Sequence, residues 1–178
     1  MVRFRGSVAH YLTRRYIFKE SMKTIIKSPQ ECSTSEIETF TRLTVEGGQV
    51  SPDGLERRIR QAEKLVFVYQ DDICIAIAGL KNPLSQYKSK VFKSAGVEAQ
   101  VTNYKYEVGY IFSKVAGVGN ELMKAVVEAA GDAKVFATTR DSNSVMQHLL
   151  PKYGFERLGG SYWNNSNEYL LGLFAQKI

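Results

Sequence analysis

Residues 110–122 run from an aromatic strand through two glycines into an amphipathic helix: Tyr110-Ile111-Phe112-Ser113-Lys114-Val115-Ala116-Gly117-Val118-Gly119-Asn120-Glu121-Leu122. No other stretch of the chain restricts the fold as much. Two glycines let the main chain turn sharply and approach an anion closely, and the unpaired N–H groups of the helix's first turn, with its dipole, point at whatever lies in front. Such a junction holds phosphate or pyrophosphate, and the same pair of glycines also serves as a plain tight turn. It is not the start of a dinucleotide fold, although Asp141 falls about 20 residues later. Leu122 stands where the third glycine belongs, and only 59 residues follow Gly119, too few for the rest of a doubly wound domain. The patterns G-x-x-x-x-G-K-[ST], H-E-x-x-H and G-x-S-x-G are also missing from the sequence.

The flanking segments follow in regular order. A short strand is expected near residues 24–27, then a helix opened by Ser35-Glu36, carrying Ile37, Phe40, Leu43 and Val45 and ended by Gly47-Gly48. Ser51-Pro52-Asp53 reads as the entry to a second helix through Leu55, Ile59 and Ala62. Residues 64–69 and 73–80, joined by Asp71-Asp72, form an apolar hairpin. Residues 81–98 read as a long connection with room for a short helix, and carry Lys81, Lys88, Lys90 and Lys93. A strand at 104–112, a helix at 118–130, a strand at 134–139, a helix at 143–152 and a closing pair of strands around 155–163 and 168–174 complete the chain. Residues 22–178 thus read as a single α/β domain without internal repeat or linker.

Composition narrows the function classes. With 178 residues, 44% hydrophobic and 24% charged, the chain can bury a sizeable core without disulfides or structural metal. Asp71 and Asp72 interrupt the longest apolar stretches, so no membrane span is expected. Cys32 and Cys74, the latter inside an apolar run, suit a reduced, cytoplasmic interior, and with only His10 and His148 beside them no zinc cage is expected. Of the net charge of +6, residues 1–21 carry +4 through Arg3, Arg5, Arg14, Arg15 and Lys19 against Glu20. That segment reads as a basic arm on phosphate, a targeting peptide, a packed element, or residues ahead of a natural start at Met22.

On these residues the chain resembles the GCN5-related N-acetyltransferase (GNAT) superfamily. Its acyl-CoA signature, R/Q-x-x-G-x-G/A, stands as Lys114-Val115-Ala116-Gly117-Val118-Gly119 with Lys in the Arg/Gln place, and its second signature as Asn143 followed by Gly154-Phe155. The resemblance implies a mixed, mostly antiparallel sheet of about seven strands flanked by about four helices. It implies acetyl-CoA in a gap between the fourth and fifth strands, with the pyrophosphate on the amides of Val115, Ala116, Gly117, Val118, Gly119 and Asn120. The thioester would lie along residues 110–113, where an N–H near Ile111 or Phe112 could stabilise an oxyanion, beside Ser113. Lys114 would attract phosphate or stand as a solvated loop lysine. Asn143 would bond pantetheine, cap the following helix, or do both.

Acyl transfer to an amine needs a base, and Glu107 is the first candidate: strand alternation would put it on one face with Gly109 and Ile111. The alternative is a carboxylate that is exposed or paired with Lys105 or Arg140. Many relatives carry a tyrosine acid where Leu150 stands, leaving Tyr153, Tyr162 or solvent for that role, and Pro151 should distort the last turn of its helix. Glu46, Gln49, Thr139, Arg140 and Trp163 are the candidates for the acceptor pocket. The stripe Tyr104, Tyr106, Tyr110 and Phe112 reads as core. The implied reaction is metal-free acetyl transfer to a primary amine by direct attack in a ternary complex. A small-molecule amine is favoured over aminoacyl-tRNA or protein, a homodimer is compatible, and the rival is an acyl-CoA- or RNA-binding module without turnover.

Overall fold

The computed structural model describes residues 22–178, so the basic segment 1–21 and the expectations placed on it lie outside the described residues. The chain runs β1 (Met22–Lys27), α1 (Thr34–Glu46), α2 (Leu55–Arg60), β2 (Lys64–Gln70), β3 (Ile73–Lys81), α3 (Ser85–Ser94), β4 (Tyr106–Ser113), α4 (Gly119–Ala129), β5 (Val135–Arg140), α5 (Ser144–Lys152), β6 (Phe155–Arg157), β7 (Tyr162–Trp163) and β8 (Leu170–Gln176). One sheet has the order β1-β2-β3-β4-β5-β8-β6, with β7 paired to β8. Every pairing is antiparallel except β4–β5. The expected mixed α/β sheet is present, with eight strands because the closing pair is divided into β6, β7 and β8.

Local chemistry moves several boundaries. Ser33, two residues before the expected start, caps α1 in a reciprocal box with Glu36: Ser33 Oγ accepts from Glu36 N at 3.2 Å and Glu36 Oε2 accepts from Ser33 N at 2.7 Å. Pro52 does not open α2. Its carbonyl accepts from Leu55 N at 3.0 Å, and Gly54, at φ +62°, caps the helix instead. Tyr104 and Lys105 precede β4, because Lys105 N is held by Lys134 O at 2.9 Å outside the ladder.

Two layers of helix cover the sheet. On one face, Ile37, Phe40 and Leu43 of α1 and Leu55 and Ile59 of α2 pack on Phe67, Ile77 and Tyr110. On the other, Leu122, Met123 and Val126 of α4 and Leu149 and Leu150 of α5 pack on Val66, Ala78, Val108 and Phe174. The segment expected as a long connection contains α3, which seats Val91 and Phe92 on Phe136, Leu173 and Ala175. Phe92 meets Phe136 edge to face at 5.3 Å, and full burial of such a ring contributes about 1.5–3 kcal/mol. Phe136 pairs with Glu107 in the β4–β5 ladder, so α3 covers the β5–β8 half of the face whose β2–β4 half lies under α1 and α2.

One irregularity in β4 reverses an expectation. Ile77 lies opposite Phe112 but Gly79 lies opposite Gly109, so β4 holds one extra residue, and Tyr110 adopts φ +55°. Alternation restarts there: Tyr106, Val108 and Ile111 pack toward α4, whereas Tyr110 and Phe112 pack toward α1. Glu107 therefore does not share a face with Ile111. The bulge gives it Tyr110 as its neighbour instead.

Candidate functional site

The parallel ladder between β4 and β5 contains only Tyr106↔Val135, Glu107↔Phe136 and Val108↔Ala137. Beyond it β4 continues beside β3 to Ser113, and β5 beside β8 to Arg140. The two strands separate, leaving the β5 side of residues 109–113 without a ladder partner. A bulge bends its strand and raises the local twist, and this one falls where the pairing stops.

The glycine turn stands at the end of that gap. Lys114 N donates to Ile75 O at 2.9 Å and Val115 N to Ser113 Oγ at 3.1 Å, which anchor its first half. Residues 116–118 form a turn that leads into α4, and Val118 caps that helix without a side-chain bond. Gly117 supplies φ +89°, while a Cβ on Gly119 would lie 3.3 Å from Leu149 Cδ2. The first-turn N–H groups of a helix have no intrahelical carbonyl partner, and such donors suit an anion.

At the other end of the gap sits a buried polar cluster. Glu107 is 2% exposed. Its Oε2 accepts from Lys81 Nζ at 2.7 Å, and its Oε1 accepts from Tyr87 Oη at 3.0 Å and Thr138 Oγ1 at 3.1 Å. Thr138 follows the last paired residue of β5, so its bond to Glu107 spans β4 and β5 where they part. The Lys81 ammonium lies 5.7 Å from the Tyr87 ring centre and 5.2 Å from that of Tyr110. Gly109 makes room for its stem, since a Cβ there would stand 2.9 Å from Lys81 Cδ. Tyr87 is 39% exposed as a residue, but its hydroxyl donates inward to Glu107. Burial, and then the charge of Glu107, hold that hydroxyl well above the usual tyrosine range, so it stays a protonated donor.

Two cavities flank this cluster and share Tyr87. One, of about 320 Å³, lies between α2, the end of β3 and α3 and is lined by Arg58, Lys81, Leu84, Glu107 and Tyr110. The other, of about 300 Å³, lies between α3 and the β7–β8 turn and is lined by Lys90, Tyr162, Trp163, Asn165 and Tyr169. Among the described residues no group of three or more His, Cys, Asp or Glu side chains could hold a metal, and no helix is long and apolar enough to cross a membrane.

No protein-family model and no curated protein sequence matches the chain. Solved structures do. An acyl-CoA N-acyltransferase from Pseudomonas aeruginosa superposes with a TM-score of 0.65 at 15% identity, over 88% of this chain and 100% of the other. A GNAT-family acetyltransferase from Streptococcus agalactiae gives 0.61 at 12% identity, over 87% and 95%. YncA from Salmonella typhimurium, whose structure holds its cofactor acetyl-CoA, gives 0.55 at 12% identity, over 88% and 93%. The fold is the GNAT fold.

Within this GNAT fold the sequence-derived candidates divide. Lys114 and Glu46 engage each other, Nζ to Oε2 at 3.1 Å, and so tie the end of α1 to the glycine turn. Neither Glu46 nor the exposed Gln49 lines either cavity. Of the residues expected beside the thioester, Ile111 packs on the α4 side and Phe112 under α1, whereas Ser113 bonds Val115. Asn143 caps α5, its Oδ1 accepting from Met146 N at 3.1 Å. Thr139 is buried on the face opposite Thr138, and the Arg140 guanidinium lies 3.9 Å from the centre of the Tyr169 ring. Tyr153 donates its hydroxyl proton to Asn120 O at 2.7 Å, joining the end of α5 to the first turn of α4. Trp163 and Tyr162 line one cavity together, and the Tyr162 hydroxyl is buried without a hydrogen-bond partner among the described residues.

Lys81 and Tyr87 were not among the sequence candidates for the site. A signal for the helix that carries Tyr87 did exist, since Leu84, Tyr87, Val91, Phe92 and Ala95 recur at helical spacing. Nothing local signals the Lys81–Glu107 pair, which sheet pairing brings together across β3 and β4 as Lys81↔Glu107.

Proposed function

We propose that the chain is an acetyl-CoA-dependent N-acetyltransferase that transfers its acyl group directly to a primary amine of a small molecule. The observation that carries this reading is the three-pair β4–β5 ladder, which opens toward a glycine turn at the N-terminus of α4. The amides of residues 116–120 would hold the pyrophosphate, and the unpaired edge of β4 at 109–113 would hold the pantetheine arm. Bound acetyl-CoA supplies the activated thioester. An N–H on the same β4 edge would stabilise the oxyanion that develops on the acyl group.

Glu107 is the group best placed to take the proton of the acceptor amine. Tyr87 and Thr138 fix its Oε1, while Oε2 accepts from Lys81 alone and keeps acceptor capacity. General-base assistance of this kind is worth about 10²- to 10⁴-fold in rate. Two cavities of about 300 and 320 Å³ support an acceptor of small-molecule size.

The test is a panel of small amines, aminoacyl-tRNA and peptide amines incubated with acetyl-CoA and read by mass spectrometry. Acetylated small amines, together with a fall of about 10²-fold or more in kcat for Glu107→Gln at unchanged acetyl-CoA affinity, are expected. Acetyl-CoA binding without product from any acceptor would leave a binding module. Absence of acetyl-CoA binding would remove the whole reading.

A further inference from the structure

The cavity between α2, the end of β3 and α3 contains Glu107 but presents mainly positive charge. The Glu107 side chain is 3% exposed, whereas that of Lys81, which engages Glu107 Oε2 at 2.7 Å, is 26% exposed, so the cavity offers more of the ammonium than of the carboxylate. A second cation lines the same cavity. Arg58 of α2 donates through Nη2 to Ser51 O at 2.6 Å and through Nη1 to Asp53 O, neutral carbonyls that fix the guanidinium without cancelling its charge. The other lining residues are neutral, and α3 carries no acidic residue. Lys88 of α3 is turned to Tyr104 O at 2.8 Å, and Glu63, just before β2, accepts from Asn82 Nδ2 at 3.4 Å without lining the cavity. One carboxylate therefore stands against two cations, and one of those cations already occupies it.

We propose that this cavity binds the acceptor as a neutral amine and excludes the ammonium, so that the protein selects weakly basic primary amines, those with an electron-withdrawing group on the neighbouring carbon, over simple alkylamines. The inference rests on the acetyltransferase reading and narrows its substrate class. A third charge beside the Lys81–Glu107 pair is attracted by the carboxylate and repelled by the ammonium at similar range, so the two interactions nearly cancel. What remains for an alkylammonium is repulsion by Arg58 and the loss of its hydration, which a buried charge recovers only from a partner of its own. A neutral amine incurs neither. Its N–H donates to the spare acceptor capacity of Glu107 Oε2, and its lone pair is left for the acyl carbon. Nitrogen then bonds that carbon and the C–S electron pair leaves on the CoA sulfur. One amine proton passes by way of Glu107 to solvent, and solvent protonates the thiolate.

The fluorine resonance of 2,2-difluoroethylamine moves with the protonation of its own nitrogen, so it reports the charge state of the bound amine without turnover. The full-length protein is titrated with this amine across a range of pH, beside the amine alone. The protonation midpoint of the bound amine is expected to fall by about one pH unit or more, a preference of about tenfold or more for the neutral form. In Lys81→Met the carboxylate of Glu107 is released as a counter-ion, and the midpoint should instead rise above that of the free amine. A purely structural role of Lys81 would not reverse the sign. In acetyl transfer, the acid limb of kcat/KM should follow the basicity of each acceptor in the series ethylamine, 2-fluoroethylamine and 2,2-difluoroethylamine. An unshifted or raised midpoint in the parent, no saturable binding, an acid limb at one pH for all three amines, or a folded Lys81→Met that keeps the lowered midpoint would overturn the proposal. If Lys81→Met does not fold, the parent titration decides. Neutral-amine binding without transfer to any acceptor would instead remove the catalytic reading and leave the site standing, and transfer with a fixed acid limb would do the reverse.

Discussion

Lys81 and Glu107 form an ion pair whose two members are unequally buried, and that asymmetry predicts an order of variants. The Glu107 side chain is 3% exposed and the Lys81 side chain 26%. Lys81→Met leaves a nearly buried carboxylate that keeps only the Tyr87 and Thr138 hydroxyls as donors among the described residues. Breaking a buried pair in this way costs about 3–5 kcal/mol, and the two remaining donors set the value near 3 kcal/mol. Glu107→Gln leaves the ammonium behind, but a quarter-exposed lysine on a flexible stem can turn its head to solvent, so about 1–2 kcal/mol is expected. The double variant has no stranded charge, and its glutamine carbonyl can still accept from Tyr87 and Thr138. It should lose only about 2 kcal/mol, short of the sum of the singles, with a coupling energy of about 2 kcal/mol. Urea unfolding followed by circular dichroism measures all three. At a slope of about 2 kcal/mol per molar, Lys81→Met should lower the midpoint by roughly 1.5 M and Glu107→Gln by about half as much. Additivity to within about 0.5 kcal/mol, or a larger loss for Glu107→Gln than for Lys81→Met, would refute the buried-pair account.

Three further outcomes follow from the geometry. Gly117→Ala places a Cβ at φ +89°, a conformation that costs a non-glycine residue about 1–2 kcal/mol, so the turn should reshape and acetyl-CoA affinity by calorimetry should fall about tenfold or more with the fold intact; normal affinity would dissociate the turn from the cofactor. Gly79→Ala would set a Cβ 2.7 Å from Tyr110 Cδ2, so a loss of about 1–3 kcal/mol is expected, and an unchanged urea midpoint would show that the ring is not fixed there. Glu36 is held below the ordinary glutamate value of 4.5, first by its hydrogen bond from Lys27. Because the unfolded chain binds that proton more readily, the stabilisation is complete above about pH 4.5 and lost as the pH falls through the lower folded value, so Glu36→Gln should flatten the acid limb of stability against pH, and an unaltered limb would contradict the assignment.

How much of this was readable in the chain depends on the range of the interaction. The glycine turn is local, and Gly117 announces its positive φ through residue type alone. The capping of α5 is also local, with Asn143 three residues before the amide it bonds. Boundaries failed where two local signals competed, as at Pro52, where Gly54 supplied the cap. The polar cluster was not readable, because Lys81, Tyr87, Glu107 and Thr138 come from β3, α3, β4 and β5, and only the register of the sheet brings them together. Lys114 and Glu46 show the reverse case: each looks functional by type and neighbourhood, yet they face each other at 3.1 Å.

The decisive unreadable feature is the extra residue in β4, and its consequences can be followed step by step. Strict alternation from Glu107 would have turned Ile111 toward the acceptor side and Tyr110 toward α4. With the bulge, Tyr110 comes round to form a wall of the Glu107 cavity and lies under the Lys81 ammonium at 5.2 Å. The same bulge bends β4 just past its last pairing with β5, where the unpaired edge begins. Two glycines make this arrangement sterically possible: Gly79 admits the Tyr110 ring and Gly109 admits the Lys81 stem. The opening of the β4–β5 gap and the assembly of the polar cluster are therefore one structural event. A variant that removes the extra residue, such as deletion of Tyr110, should abolish acetyl-CoA binding and the Lys81–Glu107 coupling together, and loss of one with retention of the other would separate them.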